Sequence, residues 1–225
     1  MNQKLNLSAI IFDMDGLMFD SERIAQITWQ HAAGEYGFDF PAEIYMGIVG
    51  LSYPDVERYT RQVFGVEFPL EAIYARKQAL MENNITTEGI PIKPGLWEIL
   101  RAVEAVNLRR GLASSSARRI VLRNLHAAGL DAAWFHAILS GDEIRNNKPA
   151  PDIFLLASQR LQVPPERCLV LEDSNAGIQA ACAAGMLSVM VPDMLPATPH
   201  TRQCAYRILP DLHAVRELIF SENGT

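Results

Sequence analysis

Short apolar runs recur along this chain, and each stops abruptly at polar or small residues. Ala9-Ile10-Ile11-Phe12 ends at Asp13, and Leu112-Ala113 ends at Ser114-Ser115-Ser116. Ala137-Ile138-Leu139 ends at Ser140-Gly141-Asp142, and Cys168-Leu169-Val170-Leu171 ends at Glu172-Asp173-Ser174. A fifth run, 187–191, ends at Pro192-Asp193, and a weaker one spans 206–209. Runs this short, rich in β-favouring types, read as buried strands. Helical stretches separate most of them. Pro94-Gly95 precedes 96–106, Ser116 can cap 117–128 before Gly129, Pro151-Asp152 opens 153–161, and Ser174 can cap 175–184 before Gly185. Strand and helix in alternation predict βαβ units, hence an α/β fold with a parallel sheet core and helices on both faces. Ligands of such sheets bind beyond the carboxyl ends of the strands. The polar clusters fall there.

Residues 21–90 break the alternation. They hold no convincing buried strand, and apolar residues recur at helical spacing in 22–36, 53–64 and 70–83 between glycines and prolines. The predicted organisation is therefore a discontinuous α/β core, 1–20 and 91–225, with a small helical domain, 21–90, inserted after the first strand.

Composition limits the function classes. With 225 residues, 49% of them hydrophobic, the chain can bury a full core without disulfide or metal staples. Its formal charge of −6 disfavours non-specific attraction to nucleic acid or anionic lipid, yet it leaves room for a small phosphorylated ligand held by one or two cations. Cys168, Cys182 and Cys204 are odd in number and follow no zinc spacing, so three small buried residues in a reducing compartment are expected. No apolar run approaches the roughly 18–20 residues of a membrane span. The expectation is a cytoplasmic protein, monomeric or weakly dimeric, with neither a nucleic acid nor a membrane partner.

Four clusters carry possible chemistry. Asp13-Met14-Asp15-Gly16 puts two carboxylates on one side of an extended chain, with a glycine for a sharp turn. Such a pair can bind a hard cation or divide nucleophile and acid/base roles, and it is equally ordinary turn chemistry. Glu172-Asp173-Ser174 reads as a helix start or as acids that converge on a cation if its strand neighbours the first. Ser114-Ser115-Ser116 reads as an N-cap or as an anion cradle. Lys148 stands between turn-forming prolines in a chain with four lysines and 16 arginines. It is either a solvated charge or the point charge beside a transferring phosphoryl group.

In that order, FDMDG, LASSS, KPAPD and LEDS resemble the four motifs of the haloacid dehalogenase-like (HAD) hydrolase superfamily. KPAPDIF, LEDSNAGIQAACAAGM and VMVPD are similar to the branch that contains phosphoglycolate phosphatase and β-phosphoglucomutase. The resemblance implies a Rossmann-like core and a helical cap at 21–90 that excludes water and grips the substrate. It implies an aspartyl-phosphate nucleophile at Asp13 and a general acid and base at Asp15. It implies phosphate contacts from Ser114, Ser115 and Lys148. It also implies Mg²⁺ held by Asp13, Asp15 (through its backbone carbonyl) and Asp173, with Glu172 as a further candidate ligand. The implied activity is a Mg²⁺-dependent phosphatase for a small phosphate ester, such as a sugar phosphate or a nucleotide-like monophosphate. Substrate choice is expected in 17–24 and 47–54. A phosphomutase is the alternative, although Ala25 stands where that group has a histidine, and Gly50-Leu51-Ser52-Tyr53 has a tyrosine where its loop has an arginine. A non-catalytic phosphate binder is the third reading. Trp97 and Trp134 are expected in the core, with Trp29 as the tryptophan to watch for a ligand role.

Overall fold

A computed structural model describes residues 6–223. The chain divides into two compact units, Met1–Asp20 with Pro91–Thr225, and Ser21–Ile90.

In the first unit, six parallel strands lie in the order β3-β2-β1-β4-β5-β6. They are β1 (Ala9–Phe12), β2 (Arg109–Ala113), β3 (Ala137–Leu139), β4 (Cys168–Glu172), β5 (Leu187–Met190) and β6 (Arg207–Ile208). Every side chain of β1 and β4 is buried, as expected of central strands covered on both faces. Fully removing Ile10, Ile11 and Phe12 from water contributes roughly 1.5–3 kcal/mol each. Phe12 pairs with Leu112 on one side and Leu171 on the other. The strand order reverses between β1 and β4, so the residues following these two strands meet at the switch point of the sheet.

The second unit consists of α1 (Ser21–Glu35), α2 (Ala42–Ile48), α3 (Tyr53–Phe64) and α4 (Leu70–Glu88). Its interior is aromatic. Trp29 is buried and stacks on Phe40 at 5.2 Å between ring centroids, with Tyr74 tilted at 5.8 Å. Trp29 is thus a core residue of this unit. The short α2 was not legible in the sequence, because Gly47 and the preceding Pro41 mask its seven residues as a loop.

The helices of the first unit are α5 (Leu96–Ala105), α6 (Arg118–Ala127), α7 (Asp152–Leu161), α8 (Asn175–Ala183), α9 (Pro199–Cys204) and α10 (Leu212–Asn223). Trp97 and Trp134 meet edge to face at 6.2 Å, with the Arg110 guanidinium 5.9 Å above Trp134. The start of α6 differs from the sequence expectation. Its N-cap is Ala117, and Ser116 does not cap it. Instead the carboxylate of Asp142, in a one-turn 3-10 segment after β3, accepts the Arg118 N–H at 3.2 Å. The cap comes from a residue remote in sequence, which frees Ser116 for another role. Ser174 does cap α8, accepting the Gly177 N–H at 3.0 Å. The expectation of three buried cysteines fails for two of them. Cys168 is buried, Cys182 is exposed and Cys204 is partly exposed, because the latter two lie on helices at the margin of the sheet. Among the described residues no helix is long and apolar enough to cross a membrane.

Small residues let α8 approach β4 closely. A Cβ on Gly177 would fall on the Glu172 carboxylate. Helix propensity alone makes Gly→Ala favourable by about 1 kcal/mol. Here Gly177→Ala is expected to destabilise instead, by about 1–3 kcal/mol from overpacking against a buried acid. A thermal melt checks this, and a raised Tm would mean that Glu172 yields at no cost.

Candidate active site

The site is assembled where β1 and β4 end. The Asp13 N–H donates to the Leu171 carbonyl at 3.0 Å, which extends the ladder by one residue and sets the Asp13 side chain beside Glu172. The chain then turns. Gly16 has φ +85°, and a Cβ there would fall on the Asp173 carboxylate. Glycine is therefore required twice at this position, by the backbone angle and by the close approach. The turn is closed by Gly16 N–H to the Phe19 carbonyl at 3.0 Å and braced by Lys93 N–H to the Met18 carbonyl at 2.9 Å.

Lys148 reaches in from the loop before α7. Its ammonium donates to Asp13 Oδ1 at 2.5 Å, Glu172 Oε1 at 2.8 Å and the Ala113 carbonyl at 3.3 Å. An ammonium has three N–H donors, so all three are committed to the protein. Its side chain is 6% exposed, and the Phe154 ring lies 5.0 Å from Nζ. Lys148 is thus a buried counter-ion rather than a solvated charge. Glu172 is buried as well, and its second oxygen accepts the Ser174 N–H at 2.6 Å and the Ser174 hydroxyl at 2.8 Å.

The serine cluster divides its work. Ser114 is buried, accepts the Ser116 N–H at 3.0 Å and lies 3.5 Å from Asp15 Oδ2. Ser116 donates its hydroxyl to the same oxygen at 2.9 Å. The hydroxyl of Ser115 is exposed and makes no hydrogen bond among the described residues. The sequence reads Ser116 as a helix cap or as part of an anion cradle, and neither reading gives its hold on Asp15. No signal within the serine triplet itself distinguishes the two roles.

The carboxylates form one group. Asp13, Glu172 and Asp173 each present an oxygen, and these oxygens lie within 4.8 Å of one another. The Asp15 side chain points to the serines, so Glu172 takes the place in the carboxylate group that a side-chain reading of Asp15 would fill. Burial pushes the Asp13 carboxyl up to about 8, with Lys148 pulling it down and Glu172 and Asp15 repelling it further. Burial also opposes the Lys148 charge, but Asp13 and Glu172 outweigh it and hold the ammonium above its ordinary range. The three grouped carboxylates have one ammonium, Lys148, bonded to two of them. A hard divalent cation fits this all-oxygen donor set and removes most of the excess charge.

A family model for haloacid dehalogenase-like hydrolases matches residues 10–191. The chain belongs to the haloacid dehalogenase-like hydrolases. A probable pseudouridine-5′-phosphatase from Drosophila melanogaster is 37% identical over 188 residues, covering 81% of this chain and 80% of that protein. A β-phosphoglucomutase from Bacillus subtilis is 33% identical over 221 residues, covering 92% and 94%. The crystal structure of a HAD family hydrolase from Deinococcus radiodurans with bound phosphate and sodium aligns with a TM-score of 0.81 at 28% identity, covering 97% of each chain. The six-stranded parallel sheet is the Rossmann-like core of that family. The chain is accordingly an enzyme, a HAD-like phosphoric monoester hydrolase.

A raised acid favours folding at low pH. The native state holds the Asp13 proton more tightly than the unfolded chain does, so stability from this group is full below about pH 4 and is lost as pH rises through about 8. In chelator the Tm of Asp13→Asn is therefore expected to exceed that of the unmutated protein by a margin that widens from pH 5 to pH 8. A divalent cation is expected to narrow the gap. A margin independent of pH would contradict the charge excess described for the site.

Proposed function

We propose that this enzyme is a Mg²⁺-dependent phosphatase of a small phosphorylated metabolite, a sugar phosphate or a nucleotide-like monophosphate, acting through an aspartyl phosphate at Asp13. The observation that carries the reading is the convergence of Asp13, Glu172 and Asp173 around an oxygen-only cation site, with Lys148 bonded to two of them. Asp13, Glu172 and Asp173 would hold the ion, joined by the Asp15 backbone carbonyl. Bound there, Mg²⁺ supplies positive charge to offset the repulsion between a carboxylate and a phosphate ester.

The chain's own residues do the rest. Asp13 Oδ1 is fixed by Lys148, which leaves Oδ2 to attack phosphorus. Lys148 opposes the rise that burial imposes on the nucleophile's carboxyl and stabilises the growing charge of the transferring group. Its longest bond, to the Ala113 carbonyl, is the one a phosphoryl oxygen would replace. Asp15, held by Ser116 and Ser114, protonates the departing oxygen and later takes a proton from the attacking water. Ser114 contributes a hydroxyl to the phosphoryl oxygens, and exposed Ser115 can offer a second. In this reading residues 21–90 form the cap that grips the organic part of the substrate. Leu17, Met18 and Phe19 are fully buried, so we assign substrate choice chiefly to 47–54 rather than to all of 17–24.

The pseudouridine-5′-phosphatase and β-phosphoglucomutase likenesses leave one chemical choice, transfer to water or to a second hydroxyl. The tyrosine at position 53 weakens the mutase reading, because a mutase must hold a second phosphate. A panel of phosphate esters with Mg²⁺ or chelator tests both points. Expected are Mg²⁺-dependent phosphate release, a loss of at least about 10³-fold in Asp13→Asn, and free phosphate rather than an isomer from a hexose 1-phosphate. Full activity of Asp13→Asn would defeat the mechanism, and an isomerised sugar would assign a mutase.

A further inference from the structure

The polar end of the β5 run, Pro192-Asp193, has no part in the chemistry described so far. The Asp193 side chain is 2% exposed, and its Oδ1 accepts the Lys93 ammonium at 2.7 Å. The two residues lie 100 positions apart in sequence. Lys93 is itself mostly buried, and a second carboxylate, Asp20, stands 3.9 Å from its ammonium. A buried ion pair adds little stability over a well-packed apolar pair, because both charges leave water. What this pair does is join two parts of the site.

On one side is the turn that carries Asp15. The Met18 and Phe19 N–H groups donate to the Met14 carbonyl at 2.9 and 3.2 Å, and the Gly16 N–H donates to the Phe19 carbonyl at 3.0 Å, so residues 14–19 close on themselves. This turn hangs on residues 91–93. The Asp20 N–H donates to the Pro91 carbonyl at 2.9 Å, the Lys93 N–H donates to the Met18 carbonyl at 2.9 Å, and Phe19 bridges Ile92. Lys93 thus grips the turn with its backbone and Asp193 with its side chain. On the other side, Asp193 is held from both directions. Before it, the Val191 N–H donates to the Glu172 carbonyl at 2.7 Å. Beyond it, the Asn175 side chain donates to the Pro196 carbonyl at 3.1 Å and accepts the Thr198 N–H at 2.9 Å. The ion pair therefore ties the turn that bears Asp15 to the strand end that backs Glu172.

We propose that Lys93 and Asp193 are positioning residues for the reaction, and that their ion pair sets the turn 14–19, and with it the Asp15 carboxylate, where it reaches the departing oxygen. The inference rests on the reading of Asp15 as the general acid. Ser116 fixes the Asp15 carboxylate from the β2 side, and the ion pair fixes the backbone that carries it. A displacement of about 1 Å in such a group costs up to about 100-fold in rate. Here the loss falls on proton transfer. An ester whose leaving oxygen must be protonated feels it, and one whose leaving oxygen departs as a stable anion is spared.

Turnover with Mg²⁺ is measured as kcat/KM on a hexose 6-phosphate and on p-nitrophenyl phosphate. This ratio reports phosphoryl transfer and not the later attack of water. Asp15→Asn sets the scale, with an expected loss of at least about 100-fold on the sugar ester and a much smaller one on the aryl ester. Lys93→Met is expected to lose about 10-fold or more on the sugar ester and no more than about 3-fold on the aryl ester. Lys93→Met leaves a buried carboxylate without its counter-ion, so the double variant Lys93→Met/Asp193→Asn, which removes both charges, is measured beside it and is expected to show the same selective loss. Equal losses on both esters, no loss on either, or a double variant that does not fold would overturn the proposal while Asp15→Asn keeps its selectivity. An Asp15→Asn protein that loses both esters equally would overturn the reading of Asp15 and this inference with it.

Discussion

The arrangement depends on one buried ammonium. Lys148 Nζ lies between Asp13 and Glu172 and also bonds the end of β2 at Ala113, so a single charge ties together three strands that are distant in sequence. Breaking a buried pair by removing one partner leaves an uncompensated charge and costs several kcal/mol. The same contact sets the chemistry. It selects which oxygen of Asp13 is free, and it leaves the carboxylate group with more negative charge than one lysine can balance. The divalent cation we propose would offset that imbalance.

The neighbouring constraints support this centre. Gly16 turns the chain at a positive φ while making room for Asp173, and Gly177 makes room for Glu172. Ser174 serves two masters, capping α8 and fixing Glu172. Ser116 and Ser114 hold the Asp15 carboxylate apart from the grouped oxygens of Asp13, Glu172 and Asp173. The two acids of the first motif are thereby given different environments, one buried among charges and one half-buried against hydroxyls. Such a difference allows one to act as nucleophile and the other to exchange protons.

Much of this was legible in the sequence because strand ends are abrupt. The halt of Ala9–Phe12 at Asp13, and of the β4 run at Glu172-Asp173, marked both positions, and the parallel alternation brought them to one edge. What remained hidden was contact between residues that no local pattern links. Asp142 caps α6 across a gap of 24 residues, so Ser116 looked like the cap. The sequence marks Lys148 as a phosphate ligand, and its bonds to Asp13, Glu172 and the Ala113 carbonyl are visible only in the three-dimensional arrangement. Likewise Glu172 read as an uncertain ligand beside Asp173, although it is the more deeply buried of the two. The helix α2 left no periodic trace at all.

The central claim is that Asp13, Glu172 and Asp173 share a single divalent ion. Calorimetric titration of the chelator-treated enzyme with Mg²⁺, in parallel with a folded Asp173→Asn variant, tests it most directly. The account predicts one ion per chain and a loss of affinity of about 100-fold or more in the variant. Undiminished binding by that variant, or saturation at more than one ion per chain, would contradict it.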